Sequence, residues 1–290
     1  MASRNPRIVY LGAYGFGEAG PYAGRPAYDD LIQGQTGIAA LSAQQSGDVP
    51  RYAPLTLADR AVGLHVGIAL VSAVLHARAS GHGQQVEIPM FEGMAHLVLG
   101  DHLGGATFEP PLGPTGYARL LAPHRRPYAT ADGYLCLLIY NDKHWRNFFD
   151  LIGQPELADD PRFCTHGARA AHISEVYAFV ADVIRTRATK DWLADLASAD
   201  IPASQLYTVD DLLQDEHLNA GGALLATALP DGGQISAAAL PIEFDGQKAG
   251  KRSDPPAQGS HTEAILRGLG LDAARIEALH TAGIIRCEGR

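Results

Sequence analysis

The chain has 290 residues, of which 46% are hydrophobic and 19% charged, and its formal net charge is −9 at neutral pH. This length and composition describe a folded globular protein able to bury a sizeable core, and they exclude a disordered chain. The acidic balance argues against nucleic acid or an anionic membrane as the default partner, although a local basic pocket is compatible with it.

Taken in order, Asn5–Leu11 reads as a loop leading into a short buried strand, Ile8–Leu11. The segment Gly12–Gly20 is glycine-rich, but its spacing is not G-x-G-x-x-G and Pro21-Tyr22 interrupts it, so it reads as a turn-rich connection and not as a dinucleotide motif. Asp29–Gln45 predicts a helix with Leu31, Ile32, Ile38 and Leu41 inward, and Ser46–Pro54 a polar loop. A long helix follows, ended by Gly81-His82-Gly83 with Arg78 in its last turn. Gln84–Ile88 alternates like a strand, and Pro89–His102 reads as a helix with Phe91, Met94, Leu97 and Val98 on one face.

A Gly/Pro-rich stretch, 104–116, marks the best domain boundary. Beyond it, Arg126–Thr130 and Tyr134–Tyr140 flank the turn Ala131-Asp132-Gly133 as a hairpin. Asn141 or Asp142 caps a helix carrying Trp145, Phe148, Phe149 and Ile152, which Gly153 ends. Pro155–Arg162 is a loop, Ile173–Ile184 a helix, and Thr189 caps a helix containing Trp192, Leu193 and Leu196. Aromatics at this spacing read as core. After Ile201-Pro202 come a short helix, Val209–Leu213, a strand, Ala223–Leu229, and a turn, Asp231-Gly232-Gly233. Ser260-His261-Thr262-Glu263 has capping-box spacing, and Asp272 starts a last helix that ends near Gly283. No internal repeat or low-complexity tract is present. The expected domains are a large-domain segment over 1–117, a small α/β domain over 118–200, and a return to the large domain over 201–290.

Cys136, Cys164 and Cys287 are scattered and odd in number, which fits reduced thiols in a cytoplasm better than a disulfide frame. Twelve histidines show no His-x-x-x-His spacing and no Cys-x-x-Cys occurs, so no metal is expected. No secretory signal or lipidation motif is read at the start.

The organising stretch is Tyr52–Gly83. Its helix is apolar nearly all round (Val62, Leu64, Val66, Ile68, Leu70, Val71, Val74, Leu75), which predicts burial on every face. The uninterrupted apolar part, Val66–Leu75, is short for a bilayer, and Arg60, His65 and His76 also oppose a membrane reading. Asp59 stands in the first turn, where free N–H groups and the helix dipole favour a carboxylate. Two readings stand side by side: an ordinary helix-start residue, or a desolvated nucleophile kept ionised by its position.

Six stretches, NPRIVYLGAYGFGEAGPYAGRPAYD, LADRAVGLH, ASGHGQQVEIPMFEGM, RPYATADGYLCL, PELADDPRF and SHTEAILRGLG, together resemble the class III (CaiB/BaiF-like) CoA-transferases. The resemblance implies an α/β fold in which a partial, Rossmann-like large domain is interrupted by a small α/β domain. It implies transfer of CoA from an acyl-CoA to a carboxylic acid, with Asp59 as nucleophile by way of an aspartyl-CoA thioester. Arg25 matches a basic position near the CoA phosphates, with a surface arginine as the competing reading. Tyr28 and Asp29 match a stretch lining the acyl pocket, and Asp29 also suits a helix start. Gln33 lies nearby, where an ordinary solvated glutamine is the plainer account. No permanently bound cofactor is implied, CoA and acyl-CoA being substrates. A related branch, the α-methylacyl-CoA racemases, uses a histidine at the place of Tyr28, and a tyrosine is a poor base near neutral pH. The family's N-terminal Rossmann-like lobe is largely absent from the matching stretches. The expectation is therefore either a homodimer or a partner supplying that lobe, with a non-catalytic remnant as the alternative, whose opening strand would present an unpaired edge.

Overall fold

A computed structural model describes residues 2–287. By internal contacts the chain divides into two compact units, Met1–Leu206 and Tyr207–Arg290.

The first unit opens on strand β1 (Tyr10–Tyr14), followed by helices α1 (Asp29–Gln35), α2 (Ile38–Ser46) and α3 (Leu57–Ser80), strand β2 (Gln85–Pro89) and helix α4 (Met90–His102). β1 and β2 pair in parallel, with Leu11 opposite Val86 and Ala13 opposite Ile88. Parallel neighbours require a crossover, and the three helices between them supply it. The opening strand thus lies two residues beyond the expected Ile8–Leu11 and takes in the first glycine of the presumed turn region. It pairs along its whole length with β2 on one side, so it has a neighbour, while its other edge carries no strand among the described residues. The helix expected over Asp29–Gln45 is two helices. Gly37, at φ 85°, adopts a left-handed conformation open to glycine, and the chain turns there. The core of this part gathers Phe16, Ile32, Ala58, Val62, Ile88 and Met94.

α3 departs most from expectation. It runs 24 residues to Gly81, which ends it in the left-handed conformation, but only Ala58, Val62, Ala73 and Ala77 are buried. Leu64 is 72% exposed and Ile68, Val71 and Leu75 are exposed with it. An all-round apolar helix has here been covered on one side alone, by α1, β2 and α4. Counted beyond Val66–Leu75, the helix is long and apolar enough to cross a membrane, with an 18-residue stretch of mean hydropathy 1.5.

Past a 3-10 turn at Gly104–Thr107, the unit continues with α5 (Ala118–Leu121), strands β3 (Tyr128–Ala129) and β4 (Tyr134–Leu137), α6 (Asp142–Leu151), a 3-10 turn at Pro155–Asp159, α7 (His166–Ala171), α8 (Ile173–Ile184), α9 (Thr189–Ser198) and β5 (Ala203–Gln205). β3, β4 and β5 form an antiparallel sheet, so its third strand comes from beyond residue 200. Packed against it is a second core, with Leu135, Trp145, Phe148, Phe149, Phe163, Val176, Ile184, Trp192, Leu196 and Ile201 buried together. Asn141 caps α6 by accepting from the His144 N–H at 2.9 Å. Thr189 does not cap its helix. Its N–H and hydroxyl both donate to Asp132 Oδ1, at 2.8 and 2.9 Å, and Ala188 holds the cap position.

The second unit contains α10 (Val209–Gln214), α11 (Glu216–Ala220), the hairpin β6 (Leu224–Ala228) with β7 (Gln234–Ala238), the small hairpin β8 (Glu243–Phe244) with β9 (Gln247–Lys248), α12 (Thr262–Gly268) and α13 (Ala273–Thr281). Asp272 caps α13 by accepting from the Arg275 N–H at 2.7 Å. The capping box anticipated at Ser260–Glu263 does not form. His261 takes the cap position without a side-chain bond, and the Ser260 hydroxyl is buried without a partner among the described residues.

Candidate active site

The loop that follows β1 packs, through Phe16, into the same core as Ala58 and Val62, which flank Asp59 on α3. Phe16 is buried against Tyr22 and Phe91, with ring centroids 5.5 and 5.6 Å away. Two carboxylates from the β2–α4 region hold the loop backbone: Glu92 accepts from the Gly17 N–H at 3.0 Å and Glu87 from the Glu18 N–H at 2.7 Å. A Cβ at Gly15 would sit 2.2 Å from that of Ala27, so this close crossing admits only glycine. Neither glutamate was assigned a role in the sequence, although both lie in a stretch that carried the family resemblance; their partners are 69 and 75 residues away.

Three of the sequence-predicted site residues come together. Asp29, in the first turn of α1, accepts from Gln33 Nε2 through Oδ1 and from the Asp59 backbone N–H through Oδ2, the latter at 3.0 Å. A free N–H in the first turn of α3 is thus satisfied by a carboxylate from another helix. Thr56, the cap residue of α3, contributes no side-chain bond of its own. Gln33 is not a solvated glutamine. It is 0% exposed, its Oε1 accepts from the Ala53 N–H at 2.8 Å, and its Nε2 also reaches the Leu55 carbonyl at 3.4 Å. A buried amide satisfied at both ends fixes the loop that enters α3 and orients Asp29 at the same time.

Asp59 itself is exposed, against the expectation of a desolvated carboxylate, because the helix that carries it is covered on one side only. Its own N–H is engaged by Asp29 and is therefore not free to stabilise an oxyanion. Tyr28 occupies the cap position of α1 in extended conformation, makes no capping bond and is 73% exposed. Arg25 stacks over the Tyr22 ring at 4.3 Å and forms no ion pair among the described residues, so the structure does not draw it into the Asp29–Gln33–Asp59 group. Among the described residues no three His, Cys, Asp or Glu side chains gather closely enough to hold a metal ion.

The Agrobacterium fabrum succinate–glutarate CoA-transferase is 27% identical over 268 residues, covering 91% of this chain and 66% of that protein. A formyl-CoA:oxalate CoA-transferase of Escherichia coli is 26% identical over 297 residues, covering 95% and 71%. This chain therefore spans about two-thirds of the length of these curated relatives. The crystal structure of a CaiB/BaiF family protein from Brucella suis superposes with TM-score 0.71 at 28% identity, over 92% of this chain and 69% of that one. Rv3272 of Mycobacterium tuberculosis shares the fold with TM-score 0.74 at 23% identity, over 91% and 69%. The sequence profile of CoA-transferase family III matches residues 1–262, and the chain belongs to that family.

Proposed function

We propose that this protein is an acyl-CoA:carboxylate CoA-transferase in which Asp59 is the nucleophile. The supporting observation is the placement of Asp59. It stands in the first turn of α3 with its backbone held by Asp29, its carboxylate is open to a substrate, and it lies within the LADRAVGLH stretch that resembles the family's catalytic segment. Family membership and the names of the relatives support the reaction class.

In this mechanism an oxygen of Asp59 attacks the thioester carbonyl of the donor, the C–S bond breaks, and CoA departs as thiolate, leaving the acyl group on Asp59 as a mixed anhydride. The thiolate then attacks the aspartyl carbonyl, the anhydride C–O bond breaks, the first carboxylate departs, and an aspartyl-CoA thioester remains. The acceptor carboxylate repeats the two steps in reverse, yielding the new acyl-CoA and restoring Asp59. Asp29 and Gln33 would hold the start of α3 in one geometry through this cycle. Each step needs a carboxylate and no resident cofactor. The same reading takes acyl-CoA and a carboxylic acid as substrates, a homodimer in the cytoplasm as the working form, and residues 118–200 as an insert in a larger body.

The test is Asp59→Ala beside Asp59→Asn. Both variants are expected to lose transfer by at least about a thousandfold while keeping the melting temperature, since Asp59 is exposed. Wild-type protein treated with acyl-CoA and then hydroxylamine should yield a hydroxamate at Asp59, and neither variant should. Turnover in either variant near that of the wild type would rule out the assignment. Exchange of the α-proton in deuterated water without any acceptor acid would instead favour a racemase.

A further inference from the structure

The segment from Tyr117 to Val180 lines an open cavity of about 650 Å³ to which Asp59 does not contribute, a volume typical of small-molecule sites. Its wall is chemically one-sided. Arg119, Arg125, Arg126, Arg169 and His166 line it, and no aspartate or glutamate does, in a chain whose net charge is −9. The charge of Arg169 is answered from outside the wall, by Asp142, and its other nitrogen donates to the Phe163 carbonyl at 2.6 Å. Arg119, Arg125 and Arg126 form no ion pair among the described residues. Three arginines lining one cavity without a counter-charge give it a positive potential.

Arg119 is held by its side chain, and Arg125 and Arg126 by their backbone. Arg119 Nε donates to the Tyr177 hydroxyl at 3.2 Å, and its guanidinium lies 5.7 Å from the centre of the Tyr140 ring. The loop carrying Arg125 and Arg126 is fixed along its backbone. Gln45 of α2 donates to the Arg125 carbonyl at 3.1 Å, the Arg125 N–H donates to Ala122 and the Arg126 N–H to His124, both at 2.9 Å. The rest of the wall is apolar or aromatic, with Leu137, Ile139, Tyr128 and Trp145 among its residues. A single negative charge would leave two of the three guanidiniums unanswered, and an inorganic ion would leave the apolar wall without contact.

We propose that this cavity is a second ligand site, which takes a small organic anion bearing two negative charges on an apolar body, with Arg119, Arg125 and Arg126 as its charge partners. The guanidinium fork suits phosphate monoesters and dicarboxylates alike. The inference does not depend on the role of Asp59.

The chain supplies its own reporter. Cys136 lines the cavity, whereas Cys164 is exposed and lies outside it. Alkylation by iodoacetamide, followed at each cysteine by mass spectrometry, is to be measured on the full chain with phenyl phosphate, phthalate or neutral benzamide present. At ten times its dissociation constant, a bound dianion slows Cys136 about tenfold and leaves Cys164 unchanged. Protection by phenyl phosphate alone assigns a phosphate monoester, by phthalate alone a dicarboxylate, and by both a site that reads charge before geometry. Equal protection by benzamide, or none by either dianion up to about 10 mM, overturns the proposal. The double variant Arg125→Gln, Arg126→Gln alters two exposed side chains and keeps the backbone bonds that fix the loop. It is expected to weaken the dianion at least about tenfold without a change in melting temperature. Unchanged protection in that variant would equally overturn the site.

Discussion

Two apolar helical stretches of this chain end in opposite surroundings. On α6, Trp145, Phe148 and Phe149 are shut in a core with Phe163, Trp192 and Leu196. On α3, Leu64, Ile68, Val71 and Leu75 recur at intervals of four, three and four residues, a single stripe along the helix, and all four stand exposed. The difference lies in how much of the circumference asks to be covered. α6 confines its aromatics to one face, and elements on both sides of it in the chain, from β4 before it to β5 after it, close over that face. α3 is apolar around its circumference, and α1, β2 and α4 can reach only the side marked by small residues, Ala58, Ala73 and Ala77. An apolar run states a demand for burial; it does not state which surface meets it.

The sharpest way to break this comparison is to cut into the covered side. Phe148 is 0% exposed, and Phe148→Ala is expected to cost about 3–5 kcal/mol through lost transfer energy and the cavity left behind. Urea unfolding of the variant reads this directly as a fall in midpoint. A loss below about 1 kcal/mol would mean that the aromatic cluster is loosely packed and that the contrast with α3 is false.

A smaller effect is expected where a polar group is buried. Gln33→Ala removes the acceptor of the Ala53 N–H and one donor to Asp29, at a cost of about 1–3 kcal/mol for the unsatisfied group. Transfer should fall as well, because Asp29 then loses one of the bonds that orient it against the start of α3. An unfolding curve that overlays the wild type would show that water replaces the amide without loss, and that Gln33 does not fix this corner.

What could be read in the sequence divides along the same line. The helix Ile173–Ile184, the turn at Ala131-Asp132-Gly133, the Asn141 and Asp272 caps and the aromatic core are written in local periodicity and local turn chemistry, and the structure bears them out. Asp29, Gln33 and Asp59 could be picked out by resemblance, but the clasp could not, since it ties Asp29 to the Asp59 N–H 30 positions on and Gln33 to the Ala53 N–H 20 positions on. Thr189 had the composition of a cap and was drawn instead to Asp132, 57 residues earlier, so a long-range partner displaced a local one. The arginine-lined cavity left no mark in the sequence either. Its cations lie in α5, in the loop before β3 and in α7, and only folding brings them to one wall.

The smallest predicted effect falls on the bare stripe of α3 and decides whether the comparison holds in solution. Ile68 is 67% exposed, so little transfer energy is lost on its removal, and glutamine forms helix slightly better than isoleucine. Ile68→Gln is therefore expected to change unfolding stability by no more than about 0.5 kcal/mol. The same holds for Leu64→Gln, and since the two are i,i+4 neighbours on one exposed stripe the pair should depart from additivity by no more than about 0.5 kcal/mol. The measurement is a urea midpoint taken at several protein concentrations, with sedimentation on the same samples. A loss of about 2 kcal/mol or more in the double variant would mean that the stripe is covered in solution. Such a loss growing with protein concentration would place the covering surface on a second molecule, since only association makes stability depend on concentration in that way.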